Sequence, residues 1–68
     1  MIPVNSSNLK AVGSNESTGT LEIEFYGGRV YQYSGVSKST YDQLMAAESH
    51  GRFFHRFIKD RYPTIRIR

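Results

Sequence analysis

The stretch Thr20-Leu21-Glu22-Ile23-Glu24-Phe25-Tyr26-Gly27-Gly28-Arg29-Val30-Tyr31-Gln32-Tyr33 decides the fold. Leu21, Ile23 and Phe25 alternate with Thr20, Glu22 and Glu24, and a period of two marks a strand with one covered and one open face. Two glycines turn the chain, and Arg29 to Tyr33 returns as a partner strand. The turn has two readings. A two-residue loop at Gly27-Gly28 sets Tyr26 opposite Arg29 and puts Tyr31 and Tyr33 on the face of Glu24 and Glu22. A three-residue loop, with Tyr26 and Gly27 in a type I turn and Gly28 as the left-handed bulge residue, sets Phe25 opposite Arg29, Ile23 opposite Tyr31 and Leu21 opposite Tyr33. One residue of slip exchanges the faces. The three-residue loop is the expectation, because it collects Leu21, Ile23, Phe25, Tyr31 and Tyr33 where helices can cover them.

Upstream, Asn8 to Val12 is a shorter alternation, Leu9 and Ala11 against Lys10 and Val12, followed by a run of turn formers from Gly13 to Gly19. Downstream, Val36-Ser37 opens a helix with Ser37 or Ser39 as its N-cap, and Tyr41, Leu44 and Met45 make an inner stripe with Ala47 beside it. Ser49 caps a second helix, which Tyr62-Pro63 ends because proline disfavours helical geometry in the residue before it. Phe53, Phe54, Phe57 and Ile58 form its inner face; Arg52, His55, Arg56 and Lys59 form its outer one. Residues 64–68 alternate again, as a short edge strand or a frayed tail. The expectation is one α+β domain over residues 1–68: a three-stranded antiparallel β-meander followed by two helices packed on one face.

A domain of 68 residues buries only about 60% of its unfolded surface, so nearly every large apolar side chain is needed in the core. Tyr31 and Tyr33 are accordingly read as core residues rather than a stacking platform, and exposing Phe53, Phe54 and Phe57 to a membrane would leave the sheet uncovered. Without cysteine there is no disulfide, thiol nucleophile or Cys-ligated zinc. The start has no basic region followed by an apolar run, and no segment approaches the ~18 apolar residues of a membrane span, which predicts a cytoplasmic protein. His50 and His55 diverge by about 140° on a helix, so they do not share a metal; both are read as exposed. Ser6-Ser7-Asn8 reads as a hydrogen-bonded turn before a strand. No cofactor, metal or catalytic residue is predicted.

The basic residues carry the functional signal. Residues 51–68 hold six of the nine, Arg52, Arg56, Lys59, Arg61, Arg66 and Arg68, against the single acid Asp60, a net +5, whereas residues 1–50 carry −2. On a helix Arg52, Arg56 and Lys59 make a line about 10 Å long. Arginine outnumbers lysine there, and its planar fork suits phosphate. The amides at Gly51 offer a phosphate a helix N-terminus, though an ordinary serine cap is the plainer reading. This predicts a polyanionic partner met by the outer face of the second helix. The alternative is a protein-interaction module, an accessory or phage-encoded inhibitor that docks an acidic surface of a host protein.

The ordered set Ser6-Ser7-Asn8, Val12, Leu21, Ile23, Phe25, Gly28, Tyr31-Gln32-Tyr33, Val36, Tyr41, Leu44, Ala47, Ser49-x-Gly51-x-Phe53-Phe54, Ile58 and Tyr62-Pro63 resembles the KTSC domain, a small family of stand-alone bacterial and phage proteins that is also found at the C-terminus of some lysyl-tRNA synthetases. Three positions depart from the pattern: Ser14 where tyrosine is common, Ser37 where proline often follows the valine, and His55 where asparagine is usual. The resemblance implies a β-meander with two helices and a suggestion of RNA binding, which favours RNA over DNA as the polyanion. It lends no catalytic residues.

Overall fold

A computed structural model describes all 68 residues. The elements run β1 (Ile2–Pro3), β2 (Leu9–Asn15), β3 (Thr20–Phe25), β4 (Val30–Ser34), α1 (Lys38–Ala46), α2 (His50–Phe57) and β5 (Thr64–Arg66). The strands form one antiparallel sheet in the order β1-β2-β3-β4-β5. The α+β architecture is the expected one, but the meander has five strands rather than three. The two additions are short edge strands. β1 contains a proline, which an edge tolerates because it needs no donor there. In β5 the tail is a strand and not a frayed end, with Tyr31, Gln32 and Tyr33 paired to Arg66, Ile65 and Thr64.

The hairpin adopts the expected register, with Ile23 opposite Tyr31 and Leu21 opposite Tyr33. The Phe25 N–H donates to the Arg29 carbonyl at 2.8 Å, and the Gly28 N–H closes the turn on the Phe25 carbonyl at 3.2 Å. The turn is not type I, however. Gly27 has φ 98° and Gly28 φ 88°, and a positive φ at the third turn residue belongs to type II. Both glycines therefore occupy backbone that a side chain would strain.

In β2 the register shifts between Leu9 and Ala11. This bulge at Lys10 puts Leu9 and Val12 on the same face, both fully buried, and turns Ala11 to the other side. The simple alternation had placed Val12 with Lys10 on the open face; the extra residue corrects it. Leu9, Val12, Leu21, Ile23 and Tyr33 then meet Val36, Leu44, Phe54 and Ile58 in one core.

Ser37 caps α1 by accepting from the Thr40 N–H, and Ser49 caps α2 by accepting from the Arg52 N–H, each at 3.2 Å. Helix α2 ends at Phe57, not at Tyr62. The Phe54 carbonyl accepts from both Ile58 (2.9 Å) and Lys59 (2.8 Å), and Asp60 takes left-handed backbone at φ 61°. Burial overrides the proline signal here. Ile58 is fully enclosed, and another turn of helix would carry the chain about 5 Å further along its axis before it could turn back to pair with β4 as β5. Phe57 is consequently not core: it is 49% exposed, with Phe53 at 4.8 Å and the Arg56 guanidinium at 5.5 Å from its ring. No helix is long and apolar enough to cross a membrane.

Candidate functional site

The early end of α2 breaks the predicted cationic stripe. Arg52 and Arg56 stand on the helix and are exposed, but Lys59 lies in the turn beyond it and Arg61 later in the same turn. Arg66 sits on β5 at the register position opposite Tyr31. Arg68 is committed elsewhere. Its Nη2 pairs with Glu24 Oε2 at 3.1 Å and its Nε donates to the Gly28 carbonyl at 3.3 Å, on the sheet face away from the helices. That face is less acidic than its sequence, since Lys10 also lies 3.9 Å from Glu24 and Gln32 Nε2 donates to Glu22 at 3.1 Å.

Lys59 instead joins a cleft between β4, the start of β5 and the end of α2. Its volume is about 330 Å³. Phe25, Tyr31, Tyr33 and Phe54 supply aromatic walls; Arg29, Lys59, Asp60, His55, Asn8 and Thr64 supply polar groups. The rings brace one another edge-on, Phe25 against Tyr31 at 5.8 Å and against Phe54 at 5.4 Å. The Arg29 guanidinium stands over Phe25, 5.8 Å from its centroid. The two tyrosines divide: Tyr33 is core at 4% exposure, while Tyr31 is half-buried and faces the cleft. Burial pushes the Tyr33 phenol up to about 12, helped by the neighbouring Tyr31 and by the negative charge of Asp60. Neither Arg29, Lys59 nor Asp60 makes a salt bridge within the protein.

A second, wholly polar hollow adjoins the first and shares Asn8 and His55 with it. The Ser6-Ser7-Asn8 turn forms as the residues predict: Ser6 Oγ donates to Asn8 Oδ1 at 3.1 Å and accepts from the Leu9 N–H at 3.3 Å. It holds Asn8 against the helix so closely that a Cβ at Gly51 would lie 2.5 Å from Asn8 Oδ1. Gly51 thus serves close packing of the turn on α2. His50 is half-buried rather than exposed, its Nδ1 2.8 Å from the Leu44 carbonyl; His55 is exposed and edge-on to Phe54 at 6.1 Å. No group of three or more histidine, aspartate or glutamate side chains is disposed to hold a metal ion.

Arg29, Asn8, Phe25 and Asp60 were not among the predicted site residues, because distant segments bring them together. One signal was available: Asp60 is the single acid in a basic stretch.

Comparison with known proteins agrees with this architecture. A crystallised KTSC domain protein from Yersinia pestis superposes with a TM-score of 0.92 at 37% identity, covering 97% of this chain and 93% of that one. A protein from Tsukamurella paurometabola is 37% identical over 67 residues, 98% of this chain and the whole of its own length. A lysine–tRNA ligase from Nostoc sp. is 34% identical over 62 residues, 91% of this chain but only 11% of the ligase. The KTSC domain family pattern matches residues 5–62. The chain belongs to the KTSC domain family.

Proposed function

We propose that this domain is a small, non-catalytic binder of single-stranded RNA, and that the cleft beside Tyr31, rather than the outer stripe of α2 alone, receives the strand. One observation carries the reading: an open, aromatic-walled cleft whose two cations, Arg29 and Lys59, have no carboxylate partner in the protein. Aromatic walls take unpaired bases, at about 1 to 3 kcal/mol per stacked base, and unpaired cations take phosphates. Arg52 and Arg56 on α2, Arg61 in the turn after it and Arg66 on β5 add further exposed positive charge outside the cleft. A duplex is disfavoured because its bases are not free to enter. Ser6 Oγ is engaged with Asn8 and His50 Nδ1 with a carbonyl, which supports a role in binding rather than in acid–base chemistry. A cytoplasmic setting belongs to the same proposal.

The test is to strip the purified protein of nucleic acid at high salt and compare its rebinding to a mixed single-stranded RNA pool, a duplex RNA and heparin. Tighter rebinding to the single-stranded pool is expected; equal affinity for heparin would reduce the site to a generic polyanion surface. The half-exposed Phe57 with Arg56 against its ring favours a second reading, a face for an acidic protein surface. Stoichiometric capture of one acidic protein, lost on Phe57→Ala, would establish it.

A further inference from the structure

On the reading that the cleft takes an unpaired RNA segment, we infer that it selects guanine, with the Asp60 carboxylate as the group that reads the base. Asp60 lines a cleft that also holds Arg29 and Lys59, yet it pairs with neither and makes no side-chain hydrogen bond to the protein. Its acceptors are free for a ligand. Its backbone is left-handed at φ 61°, the one non-glycine residue with positive φ, so an acid stands where glycine would be less strained. Its charge reaches the hydroxyl of Tyr33 on the cleft wall. A volume near 330 Å³ lies at the low end of the ~300–1,000 Å³ of small-molecule sites, which suits one base rather than a stacked run.

An ionised carboxylate only accepts hydrogen bonds. Among the four RNA bases, guanine alone offers two adjacent donors on its pairing edge, N1–H and the N2 amino group, spaced for the two oxygens of one carboxylate. Adenine and cytosine set a single amino group beside a ring-nitrogen lone pair, and uracil flanks its one N–H with two carbonyls; each turns a lone pair on the carboxylate. A bidentate, charge-assisted pair is the strong kind, and a site built for it rejects bases that leave it half-made. Arg29 and Lys59, at the same cleft, would meet the phosphate.

The experiment titrates the full chain with the four ribonucleoside 5′-monophosphates and with two RNA hexamers of equal charge, one containing guanine and one lacking it. Guanosine monophosphate and the guanine hexamer should bind about tenfold tighter or better. Asp60→Asn exchanges one acceptor for a donor and should erase the preference or turn it toward adenine or cytosine. Asp60→Gly relieves the backbone, so it should melt at or above the parent temperature while losing the preference. Equal binding of both hexamers, or a preference retained by Asp60→Gly, overturns the guanine assignment and leaves the RNA reading in place. Guanosine monophosphate bound with neither hexamer bound keeps the base site and overturns the RNA reading. Binding of no nucleotide and no hexamer overturns both.

Discussion

The Tyr33 ring meets the Phe54 ring edge-on, with centroids 5.6 Å apart and planes at 75°. The contact ties β4 to α2, and each residue is only 4% exposed. Truncating a buried aromatic costs about 3–5 kcal/mol, a large part of the ~5–15 kcal/mol of a whole domain. Tyr33→Ala and Phe54→Ala should each unfold the protein or lower its denaturation midpoint severely, whereas Tyr31→Ala, at the half-buried cleft wall, should cost visibly less. Chemical denaturation of the three variants is the check, and equal losses would mean that Tyr31 is as fully core as Tyr33.

Tyr33 also gives the fold an alkaline limit. Its folded phenol titrates at about 12 against 10.0 for an unperturbed tyrosine, chiefly because burial disfavours the phenolate. A raised pKa means that the neutral form is favoured by folding. This contribution is intact below pH 10 and is lost as pH rises from 10 to 12, by roughly 2 to 3 kcal/mol at the top of that window. Tyr33→Phe should remove that part of the pH dependence. Urea midpoints at pH 8, 10, 11 and 12 decide it: the same alkaline decline in Tyr33→Phe would place the effect in another group.

At the hairpin, both Gly27 and Gly28 have φ near +90° with open space where a Cβ would project. Only backbone strain opposes substitution, at about 1–2 kcal/mol for an L residue in left-handed backbone. Gly27→Val and Gly28→Val should therefore destabilise by similar amounts, since the turn is type II and not type I. A much milder effect at Gly27 would restore the type I turn.

Gly51 behaves in the opposite way. Alanine normally improves a helix by up to about 1 kcal/mol over glycine, but here its Cβ would stand 2.5 Å from Asn8 Oδ1. Gly51→Ala should destabilise the parent and stabilise an Asn8→Ala background. A double-mutant cycle reads the change of sign; the same sign in both backgrounds would show that Asn8 moves aside at no cost.

The parts legible in the sequence were those set by neighbours along the chain: the alternation through β3 and β4, whose register follows from gathering Leu21, Ile23, Phe25, Tyr31 and Tyr33 on one face while the glycine turn alone allows two, and the caps Ser37 and Ser49. The parts that were not depend on segments that meet only after folding. Leu9-Lys10-Ala11-Val12 alternates equally well with or without a bulge, and only the pairing with Phe25 and Glu24 reveals it. The end of α2 looked as if Pro63 set it, yet the burial of Ile58 and the demand of β5 for the β4 edge set it at Phe57, more than a turn before Tyr62. The cleft follows from that shift. Lys59 and Asp60 face Arg29 and Tyr31 because the helix stops, and no helical stripe contains this grouping.

The same shift parts Lys59 from Arg52 and Arg56, which a longer helix would have kept in one stripe, and brings it to the cleft with Arg29; a pair of variants distinguishes the two groups. Arg29→Gln with Lys59→Gln removes the cleft cations; Arg52→Gln with Arg56→Gln removes those of the α2 outer face. None of the four makes a salt bridge, so both variants should melt within a few degrees of the parent. For single-stranded RNA each phosphate contact contributes about 0.7 to the slope of log affinity against log salt. Removing the cleft pair should flatten the slope by about 1.4 units and abolish most of the advantage of RNA over heparin, because the stacked base then loses its anchored phosphate. The helix pair should lower affinity for RNA and heparin alike, leaving their ratio unchanged. If instead the helix pair removes all RNA binding while the cleft pair leaves the affinity and the slope untouched, the strand lies along α2 and the cleft is only the seam between helix and sheet.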